Sequence, residues 1–312
     1  MATTFSVAIP THDRRELVTL AVQSALAQTR APLEVIVLAD GCTDGTAQAL
    51  HALGDARVRV VELPKGPGYA YAHRNLALRE ARGDVVSWLG DDDLYLRDHL
   101  AVIGELWDAG EVDLVQACAV LVDEAGAFAA MGSDWGIERF RAEALRGHNR
   151  TPMAAVSHRP APALAAGGWD GAQERRGDIH LWRRMLEAGA RTRMSATPTV
   201  LHPRGSGREQ TPEQRLEQSR ALAAALGEPG VAARIRAQAA RAAQRELAAR
   251  ELELEEAAAE RERIAAELDA VYGETARQRE LLASIYAGGW WRLRDRLLAL
   301  PLIGRVLSRR AG

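Results

Sequence analysis

Apolar and polar positions over the first two-thirds of the chain follow two alternating periods. Short runs rich in Val and Ile have the length and β-branched content of buried strands: Phe5-Ser-Val-Ala-Ile9, Glu34-Val-Ile-Val-Leu38, Val58-Arg-Val-Val61 and Asp84-Val-Val-Ser-Trp-Leu89. Segments of helical period separate them. Arg14 to Gln28 sets Leu17, Leu20, Ala21, Ser24 and Ala25 on one face, and Thr46 to Leu53 and Tyr69 to Arg82 repeat the pattern. Strand–helix alternation at this pitch predicts right-handed βαβ units and an α/β fold with a mostly parallel sheet. Ligands of such sheets bind beyond the carboxyl ends of the strands. The loops after Ile9, Leu38, Val61 and Leu89 are therefore where chemistry is expected.

The pattern changes near Glu209. Beyond it the residues are almost only Ala, Arg, Glu, Leu and Gln, a long-helix composition broken once by Pro229-Gly230. From Ala240 a heptad can be written with Leu247, Leu254, Leu268 and Leu282 at one core position. Ala243, Ala257, Ile264, Val271 and Ile285 take the other, and Arg250, Arg261, Thr275 and Gln278 interrupt the seam. This predicts a helical hairpin or a coiled coil, the latter offering a homodimer contact. The last stretch, 288–312, carries six arginines against one Asp, a charge of +5, among Trp290, Trp291 and several leucines. It reads as a basic amphipathic tail suited to a membrane surface, or as a segment whose tryptophans and leucines pack back onto the helical region. The expected division is 1–208, a catalytic α/β domain; 209–287, a helical segment; and 288–312, the tail.

Composition narrows the function classes. Of 312 residues, 47% are hydrophobic and 26% charged, which excludes global disorder. Lys+Arg 40 against Asp+Glu 42 leaves −2, so no basic excess steers the chain to nucleic acid. Two cysteines, Cys42 and Cys118, are too few for a disulfide framework. No apolar run is long enough to span a bilayer and no signal-peptide pattern opens the chain, so a cytoplasmic enzyme, peripheral on the membrane's inner face, is expected. Lys65 is the only lysine.

Two loops and one helix start carry the candidate chemistry. Asp40-Gly-Cys-Thr-Asp-Gly-Thr46 sets a carboxylate at a strand end, where it can accept the imide N–H of a nucleobase; the same residues also make an ordinary capped turn. Leu89-Gly-Asp-Asp-Asp-Leu-Tyr95 sets three adjacent acids at the end of a buried strand, costly without a cation nearby. Mg2+ and Mn2+ take oxygen ligands and bridge carboxylates to phosphates, whereas a solvated acidic turn needs no such position. Asp178 opens a helix whose Leu181, Trp182, Met185 and Leu186 form the buried face. A helix N-terminus favours the carboxylate anion, as a base at neutral pH requires.

Residues 5 to about 205 resemble a family 2 glycosyltransferase domain of GT-A fold. The motifs are Val7-Ala-Ile-Pro-Thr11, Asp40-Gly-Cys-Thr-Asp-Gly-Thr46, His73-Arg-Asn-Leu-Ala-Leu78, Leu89-Gly-Asp-Asp-Asp93, Gly167-Gly-Trp-Asp170 and Gly177-Asp-Ile-His-Leu-Trp-Arg-Arg. The resemblance implies an inverting, metal-dependent transfer from a nucleotide-diphosphate sugar to a glycan or lipid-linked acceptor, in surface polysaccharide or glycolipid synthesis. It also implies roles. Pro10, Thr11, Asp40, Arg74, Asp91 and Asp92 bind the donor nucleotide. Asp92, Asp93 and His202 hold Mg2+ or Mn2+, and Asp178 is the general base. Arg204 and Arg208 are candidates for the diphosphate. Two positions depart from the family pattern: Gly90 stands where an Asp is usual, and Gly177 where a Glu often precedes the base.

Two other classes compete. A sugar nucleotidyltransferase shares the architecture but resembles a Gly-rich, Arg-containing first loop, where this chain has Pro10-Thr-His-Asp-Arg14. A non-catalytic, membrane-docking coiled-coil scaffold needs neither the acid triplet nor Asp178. The segment from Cys118 to Asp170 is expected to form the acceptor side.

Overall fold

The structure is a computed structural model that describes residues 2–122, 128–203 and 211–287. Its first half alternates as the pattern requires: β1 (Phe5–Thr11), α1 (Arg15–Leu26), β2 (Glu34–Asp40), α2 (Thr46–His51), β3 (Val58–Leu63), α3 (Tyr71–Glu80) and β4 (Val85–Trp88). There follow β5 (Leu94–Tyr95), α4 (His99–Asp108), β6 (Leu114–Val122), β7 (Phe128–Met131), α5 (Glu138–Leu145), β8 (Val156–His158) and α6 (Pro160–Ala165). The order ends with α7 (Gly177–Glu187), β9 (Thr192–Pro203), α8 (Pro212–Leu226) and α9 (Val231–Ala287).

The strands form one sheet in the order β3-β2-β1-β4-β8-β6-β9-β5, with β7 paired to the second half of β6. The four strands read from the first 89 residues are mutually parallel. Beyond β4 antiparallel pairs enter, through β8 on β4 and β6 and through β5 on β9, giving a mixed α/β GT-A-like sheet. Side chains alternate across it with period two. Val7, Ile9, Val35 and Val37 face α1 and α4, where Val18, Ala21, Val22, Ile103 and Trp107 are buried. Ala8, Ile36, Leu38 and Trp88 face the opposite layer, with Ala77 and Leu78 of α3 and Leu181, Trp182, Met185 and Leu186 of α7. Both faces are covered, which is why β2 is buried at every position, Glu34 included. Ser6 Oγ and the Arg82 backbone N–H, each 2.7 Å away, satisfy that carboxylate.

A third cluster brings helices of the Ala/Arg-rich region onto the sheet. Leu94, Leu96, Val120, Val122 and Leu201 pack with Leu222 and Leu226 of α8 and with Val231, Ile235 and Ala239 of α9. The Pro229-Gly230 break falls between these two helices. By density of contacts the chain divides between Arg245 and Glu246. In the second unit α9 continues to Ala287, with Ile264, Leu268 and Val271 exposed. Residues 288–312 lie outside the described residues, as do Arg204 and Arg208. No helix among the described residues is long and apolar enough to cross a membrane.

Candidate active site

Parallel pairing aligns the carboxyl ends of β1, β2, β3 and β4 on one edge of the sheet, and a cavity of about 790 Å3 opens there. Nine of the site residues expected from the sequence line it: Pro10, Thr11, Asp40, Arg74, Asp91, Asp92, Asp93, Asp178 and His202. Of the expected acceptor side, Met131 and the turn Asn149–Met153 reach the cavity.

Strand register explains the contacts of the acid loop. β1 and β4 pair Ala8 with Trp88, and carrying that register past the strand ends sets Thr11 against Asp91, where Thr11 Oγ1 donates to Oδ2 at 2.9 Å. β5 and β9 pair Leu94 with Leu201, so the next pair is Asp93 and His202, joined Oδ1 to Nδ1 at 2.6 Å. Arg14 Nη1 donates to Asp91 Oδ1 at 2.8 Å and reaches Asp92 Oδ2 at 3.2 Å. Arg215 Nη1, from α8, donates to that same Asp92 oxygen at 2.7 Å. Burial and the neighbouring Asp92 charge push the Asp91 carboxyl up to about 6 against the pull of Arg14. Burial likewise raises Asp93, with His202 resisting.

Gly90 has a steric reason here. A Cβ on it would lie 2.5 Å from Asp93 Oδ2, so the Asp93 carboxylate fills the space a side chain at position 90 would need. The donor set of Asp92, Asp93 and His202 fits a divalent cation: two hard carboxylates and an imidazole, beside buried acids whose charge is unfavourable as it stands. In this conformation those groups are turned to Arg14, Arg215 and each other. Among the described residues, the three-ligand group whose N, O and S atoms all lie within 4.8 Å is instead His12, Asp13 and Cys42, at the rim.

Asp40 ends β2, and its carboxylate is clamped. Lys65 Nζ donates to Oδ2 at 2.5 Å and the Gly66 N–H to Oδ1 at 2.6 Å, while His73 Nδ1 lies 3.3 Å from Oδ1. Burial alone would raise its pKa; these donors hold the carboxyl below its ordinary value. The Lys65 ammonium also reaches the carbonyls of Gly66 at 3.1 Å and Gly68 at 3.4 Å, so it ties the loop after β3 to the end of β2.

Across the cavity, Asp178 sits half-buried in the first turn of α7 and accepts the Ile179 N–H at 2.9 Å. Its pKa runs opposite to the direction expected of a helix N-terminus. Desolvation pushes it up and outweighs the Ile179 N–H and the Arg74 guanidinium, which favour the anion. Arg74 is buried with its Cζ 4.7 Å from the Tyr71 ring and 4.8 Å from the Trp169 ring, and those rings stack at 5.7 Å. Gly177 is likewise a matter of space. A Cβ there would come within 2.7 Å of the Tyr71 ring, so the ring that flanks Arg74 occupies the room a glutamate would take.

Four contacting residues escaped the sequence reading. Arg14 and His73 stand inside motifs quoted for their neighbours, and Lys65 opens Lys65-Gly-Pro-Gly68, a Gly-rich loop without P-loop spacing whose sequence suggests only that it admits the donor. Arg215 had no signal, being one arginine among many in a helical composition.

Residues 6–161, half of the chain, match the sequence family described as Glycosyl transferase family 2. Over 97 residues the chain is 37% identical to the putative teichuronic acid biosynthesis glycosyltransferase TuaG of Bacillus subtilis, covering 30% of this chain and 38% of that protein. It is 36% identical over 108 residues to the succinoglycan biosynthesis protein ExoO of Rhizobium meliloti, covering 34% of this chain and 30% of ExoO. The match thus spans about a third of the length of these relatives. Among solved structures, S. aureus TarS 1–349 in complex with UDP-GlcNAc superposes with a TM-score of 0.53 at 20% identity, covering 78% of this chain and 73% of that one. At that identity the likeness is one of fold.

Proposed function

The chain belongs to glycosyl transferase family 2, and from that premise we propose that it moves a sugar from a nucleotide-diphosphate sugar to a hydroxyl acceptor with inversion at the anomeric carbon. The observation that carries this reading is the convergence on one cavity of a nucleotide side, Thr11, Asp40, Arg74 and the acid triplet, and a facing carboxylate, Asp178. In the proposed reaction Asp178 takes the proton of the acceptor hydroxyl, whose oxygen attacks the anomeric carbon opposite the departing diphosphate. Asp178 is desolvated enough to have a raised proton affinity and is held toward the anion by Arg74. Asp40, fixed by Lys65 and Gly66, keeps lone-pair capacity for a base N–H. A divalent cation on Asp92, Asp93 and His202 would supply charge stabilisation to the leaving diphosphate.

The roles of relatives support an acceptor in surface polysaccharide synthesis: teichuronic acid for TuaG, succinoglycan for ExoO, and a diphosphoundecaprenol-linked sugar for WfaP of Escherichia coli, 31% identical over 91 residues. Calorimetry with UDP-, GDP- and dTDP-sugars tests the donor side. Binding of one of them is expected, and it should collapse with EDTA or with Asp93→Ala; affinity unchanged by both would remove the metal–diphosphate reading.

A lipid-linked acceptor would place the enzyme at a membrane, and the composition of 288–312 suits that surface at ~1 kcal/mol per basic residue near anionic headgroups. The full chain is expected to sediment with anionic vesicles and to be released by salt, while a chain ending at Ala287 stays in the supernatant. Equal sedimentation of the two would detach the tail from membrane contact.

A further inference from the structure

Arg215 lies outside the stretch that matches the family, 6–161, yet its guanidinium lines the cavity. The helix that carries it is fixed to the catalytic sheet. Thr211 and Gln214 close a capping box at its start, and Leu222 and Leu226 join the cluster of Leu94, Leu96 and Leu201. Arg215 is therefore presented by a packed element, and its Nη1 meets Asp92 Oδ2 at 2.7 Å.

That oxygen is shared with Arg14 Nη1 at 3.2 Å, so Asp92 is bracketed by two guanidiniums. A cation held at the same carboxylate at ~2.0–2.1 Å, the usual Mg2+ distance, would stand in the place of one of them. Like charges so close repel, and Arg14 stays anchored to Asp91 Oδ1 at 2.8 Å, so Arg215 is the one that yields. An Arg215 side chain released from Asp92 remains on a fixed helix at the wall of the same cavity. Its planar, permanently charged fork matches two oxygens of a phosphate group.

We propose that Arg215 is a diphosphate-binding residue supplied by α8, which pairs with Asp92 and exchanges that carboxylate for the donor's diphosphate when cation and nucleotide enter. This rests on the donor reading above and adds to it a residue, a helix and an exchange of partners.

The exchange predicts effects of opposite sign in one variant. Calorimetry on the full chain would compare wild type, Arg215→Ala, Arg215→Lys and the control Arg220→Ala. The probes are Mn2+ alone, then whichever of UDP, GDP or dTDP binds wild type tightest, together with its nucleoside monophosphate. Arg215→Ala should bind Mn2+ alone several-fold more tightly, because a competing charge is gone. It should bind the nucleoside diphosphate ~10-fold or more weakly, the loss expected for a charge-assisted hydrogen bond, and the monophosphate with a smaller loss. Arg215→Lys should recover part of the diphosphate affinity, and Arg220→Ala should match wild type in both. A merely structural ion pair would move both affinities the same way, or neither, and either result overturns the proposal. If wild type binds a nucleoside diphosphate and Arg215→Ala binds it equally well, only the role of Arg215 falls. If wild type binds none of the three, the donor reading falls with it.

Discussion

Asp178→Asn is expected to lower turnover by ~10²-fold or more while leaving donor affinity nearly unchanged, the signature of losing a general base. The substitution keeps the shape of the side chain and its acceptor for the Ile179 N–H, so α7 and the Tyr71–Trp169 stack should stand. Because burial raises the Asp178 pKa, the acid limb of the kcat/KM profile should lie above the ordinary carboxylate range, with activity falling as pH drops through it. In Asp178→Asn that limb should vanish. The stability effect has the other sign. A folded-state pKa above the unfolded one means that the group's contribution is fully present in acid and is lost as pH rises through the folded value. Asp178→Asn should therefore melt at or above the wild-type temperature at neutral pH, and the difference should shrink in acid. Near-normal turnover in this variant, or a product that keeps the donor's anomeric configuration, would sink the role.

Trp88→Ala should produce the largest loss of stability, ~3–5 kcal/mol by denaturant unfolding, against the ~5–15 kcal/mol typical of a whole domain. Trp88 ends β4 fully buried, its ring set edge-on to Trp169 at 4.9 Å. Its Nε1 donates to His158 Nε2 at 2.8 Å, and burial keeps that imidazole neutral, with its pKa lowered to about 4, so it can accept. Removing the indole opens a cavity and strands a buried acceptor. The Trp88 carbonyl also accepts from Tyr95 Oη at 2.6 Å, a contact that bridges the two ends of the acid loop. That carbonyl belongs to the backbone and survives the substitution, so the loss should fall on stability rather than on the contact itself. Trp88→Phe, which keeps one aromatic ring and loses the five-membered ring with its N–H, should cost ~1–3 kcal/mol. A loss below ~1 kcal/mol in Trp88→Ala would mean that the layer beneath the site does not depend on this ring.

The alternation of Val/Ile runs with helical periods determined the strand–helix order through β4 and the parallel pairing of its strands. Each of those elements carries a face pattern visible in the residues themselves. The same order determined where the cavity would open, because parallel strands must end on one edge; Pro10, Thr11, Asp40 and Asp91 line it for that reason. Three things depended on the tertiary structure. The antiparallel half of the sheet rests on pairings such as Leu94 with Leu201, too distant in sequence for any local period to announce, and that register is what joins Asp93 to His202. The glycines at 90 and 177 read as departures from a motif, whereas packing shows each making room for a particular group, the Asp93 carboxylate and the Tyr71 ring. The charges that meet the acids, Lys65 at Asp40 and Arg14 and Arg215 at Asp92, were equally unmarked. A long charged side chain carries no periodic signal, and only its helix or loop, once packed, decides which carboxylate it reaches.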